Sequence, residues 1–379
     1  MPIIPVPDDL RTWVEIDHSA LRQNLAFVRR RIGTEASILA VVKANAYGHG
    51  AEEIVRTLSG DTAVFGVANL GEAEKVAAAG TGRDVLLMSP CLPAERKAAV
   101  KAGHIVTVSS AEEAEAFARF GGVRVNFKID TGMGRIGCRK DRAVEEVSRL
   151  IAAPGVDLHS LSTHLPSADV DSGFTATQLR EFRQLLGELR AVVGKVACHA
   201  LNSAGLLTKP EHDFDFVRPG LILYGVSPLP EYQRELVPVL AWKARAVLVR
   251  DLPEGAGVSY GRSFVTTQAT RAAVLAVGYA DGFPRQASGQ GAGVLLRGVW
   301  CPLLGRVTMD QIVVDVSGVP GIREGDVATL IGRDGDREIP AQELAEQADT
   351  IPWDILARIG ERVERIHARA SDLGEEPDR

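Results

Sequence analysis

The chain has 379 residues, 45% hydrophobic and 24% charged, with 43 basic against 49 acidic side chains and a net charge of -6. Neither sign is clustered, so the basic stripe of a nucleic-acid binder is missing, and no run approaches the ~20 uncharged apolar residues that span a bilayer. Dispersed glycines and prolines exclude a collagen-like or low-complexity chain, and the length points to two domains or to one large barrel with an appendage.

The opening MPIIPVPDDL carries three prolines and two aspartates and no basic segment, so it does not read as a secretory signal. Cys91, Cys138, Cys198 and Cys301 lie far apart and form no CxxC pair, which argues against a zinc site or a disulfide scaffold. The expectation is a cytoplasmic protein with no metal, no nucleic-acid partner and no membrane partner.

In chain order, TWVEID (12–17) is strand-like and is expected to pair with the second domain. Short β-rich apolar runs follow: ILAVV (38–42), VFGVA (64–68), VLLM (85–88), IVTV (105–108), VRVNFKI (123–129), VDLHSLS (156–162), VACHA (196–200) and FDFV (214–217). Between most of them lie stretches with apolar residues at three- and four-residue spacing, such as GEAEKVAAAG and TATQLREFRQLLGELR. Continuous apolar strands alternating with helices indicate parallel strands buried on both faces. Eight of them fit a (β/α)8 barrel; an open doubly wound sheet is the runner-up, but no GxGxxG follows the first strand. Beyond about residue 238 the texture becomes β-rich with turns, and helical pattern returns only in AQELAEQAD and near WDILARIG. The fold class is therefore α/β: an N-terminal (β/α)8 barrel over 1–238, then a mostly β domain over 239–379.

Polar residues crowd the ends of the barrel strands, where barrel enzymes place their sites. VVKANAYGHG supplies Lys43, Tyr47 and His49; KIDTGMGRIG supplies Lys128, Asp130 and Arg135; THLPSAD supplies His164. ALNSAG supplies Asn202 and Ser203, and VRPG supplies Arg218 and Gly220. A lysine that ends a strand is usually a solvated charge, but an uninterrupted apolar strand delivers Lys43 to the barrel mouth, and burial there suits an amine to Schiff-base chemistry. His49, His159 and His199 read as structural histidines, since no HxxxH or HxH spacing supports a metal. Ser203 and Gly220 follow the seventh and eighth strands, the corner where such barrels bind phosphate. A candidate catalytic lysine with a phosphate corner suggests pyridoxal phosphate.

VVKANAYGHG, KIDTGMGRIG, ALNSAG, VRPGLILYG, VGYADGFPR and GRVTMDQ, in this order and spacing, resemble the alanine racemase family over nearly the whole chain. The resemblance implies a barrel plus β domain, pyridoxal phosphate as cofactor, and two-base interconversion of L- and D-alanine that supplies D-alanine for peptidoglycan. It makes Lys43 the lysine that carries the cofactor and acts as one base, with Tyr279 as the base on the opposite face. In the family that tyrosine comes from the partner subunit, so a head-to-tail homodimer with composite sites is implied. Tyr47, Ser203, Gly220 and Leu221 match phosphate-binding positions, and Arg218 matches the arginine at the pyridine nitrogen, with His164 linked to it. Arg135 and Met309 match contacts to the substrate carboxylate, and Lys128 matches a lysine often carbamylated in the family. Two positions depart. Trp353, in TIPWDIL, stands where a tyrosine that bonds the phosphate is usual, and Leu165 stands where phenylalanine is frequent. Rival readings are a serine or broad-specificity racemase and a non-catalytic pyridoxal-phosphate carrier; the carrier lacks the β domain and the VGYADG tyrosine.

Overall fold

A computed structural model of the chain describes residues 6–209 and 213–368. It divides into two compact units: one of Leu21–Ala46 with Ala51–Val237, the other of the chain up to Ala20, Tyr47–Gly50 and the chain from Pro238 onward.

The chain enters through β1 (Thr12–Asp17), which belongs to the second unit, and α1 (His18–Ile32). The first unit is a barrel built from β2 (Ser37–Val41), β3 (Val64–Val67), β4 (Asp84–Leu87), β5 (Ile105–Val108), β6 (Val123–Asp130), β8 (Val156–Ser162), β9 (Ala197–His199) and β10 (Phe216–Val217). These strands pair in parallel in that order and β10 closes on β2; the short β7 (Cys138–Arg139) extends the edge of β6. Intervening segments are the turn α2 (Lys43–Tyr47) and helices α3 (Ala51–Leu58), α4 (Leu70–Ala78), α5 (Arg96–Lys101), α6 (Ala111–Ala118), α7 (Ala143–Ala152), α8 (Ser172–Val193) and α9 (Ser203–Thr208).

Apolar strands become barrel staves because both their faces are buried: every residue of β3 and of β5 is buried. The helices cover them with one apolar stripe each. On α8 that stripe is Leu179, Phe182, Leu185, Leu186 and Leu189, continued towards the N-terminus by the buried polar residues Thr175 and Gln178. Of the run FDFV only Phe216–Val217 forms strand. Its Asp215 turns a carboxylate oxygen to accept the Cys198 N–H at 2.8 Å.

In the second unit β1 pairs antiparallel with β11 (Leu240–Leu252) and parallel with β20 (Glu364–Ala368). β11 pairs first with β18 (Val327–Asp334), with a register shift between Trp242 and Lys243, and then with β14 (Thr270–Leu275), with another between Ala246 and Leu248. β12 (Gly257–Val258) and β13 (Phe264–Val265) form a separate ribbon. β17 (Ile312–Asp315) joins β14, β15 (Gly293–Leu296) and β16 (Val299–Pro302) form a hairpin on β18, and β19 (Arg337–Ile339) ends that edge. Helices α10 (Ala341–Gln347) and α11 (Pro352–Ala357) follow. Trp242 donates its indole N–H to Thr12 at 3.0 Å, and the Arg245 guanidinium lies 5.2 Å over the Trp13 ring, tying β1 into this sheet. Among the described residues no helix is long and apolar enough to cross a membrane, and no cluster of three or more His, Cys, Asp or Glu could hold a metal ion.

Candidate active site

The strand β2 ends in a backbone that few sequences tolerate. Ala44, Asn45, Ala46 and Tyr47 all take the left-handed helical conformation, with φ of 51–53°. For residues with a side chain this costs about 1–2 kcal/mol each, so the turn must be held from outside. Three anchors within the barrel unit do so. Ala44 N–H donates to Glu72 Oε1 at 2.8 Å, Ala46 N–H donates to the Val42 carbonyl at 2.9 Å, and Asn45 Oδ1 accepts the Ala51 N–H at 2.9 Å.

Lys43 opens this turn and is half-buried. Burial lowers its pKa first, the Arg135 charge lowers it further, and Glu72 opposes both. Lys128, near the end of β6, is buried, and desolvation with the charges of Arg218 and Arg135 holds its amine well below the usual lysine range, against a raising effect of Asp130. The Asp130 carboxylate accepts the backbone N–H groups of Gly132, Met133 and Gly134 at 2.8–3.2 Å, shaping the loop that presents Arg135. Gly137, at φ 123°, lets that loop return: a Cβ there would lie 2.7 Å from the Asp130 nitrogen.

Arg218 follows β10 directly and is 2% exposed. Among the described residues no carboxylate pairs with it; burial pushes its pKa down to about 10. Its N–H groups go to neutral acceptors instead: His199 Nδ1 at 2.6 Å, the Thr163 and Ala200 carbonyls at 2.8 Å and His164 Nδ1 at 3.2 Å. Since both Nδ1 atoms accept, each imidazole is neutral with its proton on Nε2. Desolvation and the charges of Arg218, Lys128, Arg135 and Lys43 hold His164 down to about 2, and His199 is held well below the usual range by burial and Arg218. Strand register sets Lys128 beside Ser162 and Ser162 beside His199, and Ser162 Oγ and His199 Nε2 are buried without a hydrogen-bond partner.

At the next corner Asn202 caps α9 by accepting the Gly205 N–H at 2.9 Å and donates to the Leu165 carbonyl at 3.0 Å. Ser203 Oγ accepts the Gly220 N–H at 3.0 Å, which leaves its own proton to donate elsewhere, and Leu221 starts the 3-10 turn Leu221–Tyr224. The barrel unit thus gathers Lys43, Lys128, Arg135, His164, Ser203, Arg218, Gly220 and Leu221 at the C-terminal ends of its strands.

Tyr47, Tyr279, Met309 and Trp353 belong to the second unit. Tyr47 is buried, which pushes its hydroxyl pKa up, and His49 Nδ1–H donates to its carbonyl at 2.8 Å. The turn after β14 runs against the segment before β17: Tyr279 N–H donates to the Thr308 carbonyl and Ala280 N–H to the Met309 carbonyl, both at 3.0 Å. Tyr279 and Met309 are 42% and 53% exposed, side by side on that surface. Beneath them Asp281, 3% exposed, accepts the Gly278 N–H at 2.8 Å and the Arg362 Nε–H at 2.7 Å, and Arg362 also reaches Asp310 at 2.6 Å. Trp353 is half-buried in the first turn of α11.

The family model "Alanine racemase, N-terminal domain" matches residues 16–228, and "Alanine racemase, C-terminal domain" matches residues 239–367. A relative from Halothermothrix orenii named alanine racemase is 39% identical over 364 residues, 93% of this chain and 96% of that protein. The chain belongs to the alanine racemase family. Solved alanine racemase structures agree. That from Streptomyces lavendulae has a TM-score of 0.88 at 36% identity, covering 96% of this chain and 98% of its own. That from Streptomyces coelicolor A3(2) has a TM-score of 0.87 at 37% identity, covering 95% and 98%.

Within this family member, several residues around the site were not evident in the sequence. His199 reads there as a structural histidine, yet it is the nearest side-chain partner of Arg218. The adjacency of β9 and β10 in a barrel, with His199 opposite Phe216, was the available signal. The Glu72–Ala44 and Asp281–Arg362 contacts carried none, because those partners are distant in sequence.

Proposed function

We propose that this chain racemises alanine with pyridoxal phosphate carried on Lys43. The observation that supports this best is Arg218: a buried guanidinium, with no carboxylate partner among the described residues, beside two histidines fixed as neutral, in a cluster with Lys43, Lys128 and Arg135. A cationic corner of this kind, with Arg218 and Lys128 buried, favours an anionic ligand with an unprotonated acceptor, and a pyridine ring bearing a phosphate is both.

Lys43 would hold the cofactor, the Ser203 hydroxyl, the Gly220 and Leu221 N–H groups and Tyr47 its phosphate, and Arg218 its ring nitrogen; Trp353 is assigned to the phosphate side on the resemblance alone. Bound pyridoxal phosphate supplies the electron sink for the pair left on Cα. The chain's residues do the rest. Lys43 Nζ moves a proton on one face of Cα, and the Tyr279 hydroxyl moves one on the other. Arg135 and the Met309 region orient the substrate carboxylate. Arg218 donates a hydrogen bond to the ring without surrendering its proton, because even a pKa of about 10 keeps it charged at neutral pH.

Lys128 would be carbamylated: its buried neutral amine would add to dissolved CO2 with release of one proton, and the carbamate could accept from the orphaned Ser162 Oγ and His199 Nε2. The assembly is a homodimer in which Tyr279 serves the partner's site, in the cytoplasm, with the product D-alanine destined for peptidoglycan. The two domains are proposed as 1–238 and 239–379. The deciding experiment measures D-alanine formed from L-alanine with and without added pyridoxal phosphate. Formation that depends on the cofactor is expected, and none in its presence overturns the reading.

A further inference from the structure

On the reading that Lys43 bears the cofactor, the placement of its amine depends on a turn that the backbone by itself disfavours. The Glu72 carboxylate reaches that turn. Helix α4 opens with a capping box, in which Asn69 Oδ1 accepts the Glu72 N–H at 3.0 Å and Glu72 Oε2 reaches back to the Ala68 N–H at 2.7 Å. Helix α6 repeats the device: Ser110 Oγ accepts the Glu113 N–H at 3.2 Å, and Glu113 Oε2 accepts the Ser109 N–H at 2.6 Å. The cap therefore needs one carboxylate oxygen. In α4 the second oxygen, Glu72 Oε1, goes on to the Ala44 N–H at 2.8 Å, the first amide of the left-handed turn.

We propose that Glu72 is a positioning residue for Lys43: its carboxylate ties the turn after β2 to the end of β3 through Ala44, and its charge faces the Lys43 amine. The bond to Ala44 holds the residue after Lys43 at φ 51°, ψ 51°, and through it the direction in which the Lys43 side chain leaves the strand. The charge acts separately. Burial and Arg135 both disfavour the Lys43 ammonium, and Glu72 is the group that counters them.

Two substitutions separate these effects. In Glu72→Gln the side chain has one acceptor oxygen for two N–H groups, turns an NH2 donor towards the other, and loses its charge. In Glu72→Asp the charge stays, but a chain one methylene shorter cannot span both amides. Glu113→Gln removes the same kind of cap without any link to a lysine.

The test uses the full-length chain, freed of cofactor and reconstituted with pyridoxal 5'-phosphate. It reads the affinity and the pH dependence of the attachment rate by visible absorbance, with borohydride reduction and peptide mapping to locate the modified lysine. Glu72→Gln should weaken cofactor binding by about ten-fold or more, the scale of one charge-assisted hydrogen bond. It should also lower the pH midpoint of attachment by up to about one unit, because losing a nearby anion destabilises the ammonium. Glu72→Asp should lose affinity with the midpoint nearly unchanged, and Glu113→Gln should change thermal stability alone. A Glu72→Gln protein that matches Glu113→Gln in affinity and midpoint overturns the proposal. Should Glu72→Gln not fold, wild-type affinity in Glu72→Asp overturns it equally. Mapping the cofactor to a lysine other than Lys43 in the unsubstituted chain would instead overturn the functional reading on which it rests.

Discussion

Gly278→Ala gives the sharpest test of how the second unit presents Tyr279. A Cβ at 278 would lie 2.3 Å from the Met309 carbonyl oxygen and 2.4 Å from that of Thr308. Carbon and carbonyl oxygen rarely approach closer than about 3.3 Å, so the two segments must part by up to about 1 Å. Both obstacles are backbone atoms, so no side chain can swing away to relieve the clash. Parting stretches the 3.0 Å bonds from Tyr279 to Thr308 and from Ala280 to Met309, a loss of about 1–3 kcal/mol if both go. Asp281 resists a compensating shift of the turn, since it holds the Gly278 N–H from beneath while gripping Arg362. If the Tyr279 hydroxyl moves a proton on one face of Cα, a 1 Å displacement should lower kcat by about a hundred-fold. In D2O, loss of the α-hydrogen on the Tyr279 side should fall far more than on the Lys43 side, with cofactor absorbance retained. Gly187→Ala, on α8 where nothing lies within 4 Å of the new Cβ, serves as the control and should be neutral or stabilising by up to about 1 kcal/mol. Gly278→Ala with unaltered racemisation and stability would refute the argument.

Lys43→Ala should abolish the visible absorbance of the reconstituted protein and nearly all racemisation; activity kept without an added amine defeats the assignment. Mixing inactive Lys43→Ala and Tyr279→Ala subunits should restore part of the activity, because a mixed dimer would hold one intact composite site; proven subunit exchange without recovery means the tyrosine does not act in trans. Acid should destabilise the fold. His164 is held down to about 2 and His367 to about 4, mainly by burial, from an ordinary 6.5. The unfolded chain therefore takes up these protons first. The stability is fully present above about pH 6.5 and is lost as pH falls towards 4, by at most about 1.4 kcal/mol per pH unit for His164. Urea midpoints that stay flat from pH 7 to 4.5 would contradict this.

The barrel is legible in the sequence because its strands are buried on both faces. Runs such as VFGVA and IVTV have no polar alternation to confuse with an exposed strand, and the structure places β3 and β5 on them. The mostly β second unit is legible because short β-rich segments there are divided by glycine, proline and aspartate turns with little helical pattern between them. The conformation of α2 is not legible. Alanine and tyrosine disfavour left-handed backbone, and only Asn45, Gly48 and Gly50 hint at it, at φ 53°, 81° and 92°. The turn exists because remote groups impose it, and a single chain read along its length does not reveal that Glu72 reaches Ala44. His199 shows the same limit. Its local spacing carries no information about the buried arginine one strand away.

The electrostatics of the barrel site follow from where its carboxylates are not. Asp130 is taken up by three loop amides and Glu72 by two, so neither neutralises Arg218. A carboxylate against that guanidinium would pair the charge and leave little attraction for a phosphate or an amino-acid carboxylate. Neutral acceptors satisfy the same N–H groups while leaving the charge unspent, and burial with the Arg218 charge lowers the pKa of both His164 and His199, which favours their neutral forms. An arginine so placed offers a hydrogen bond and keeps its proton. On the proposed reading it therefore withdraws less charge from the ring than a group that protonates it, and negative charge at Cα is poorly stabilised once formed. Such a site gains little from a long-lived deprotonated substrate. It gains from returning the proton quickly, which is the demand that a separate base on each face of Cα would meet.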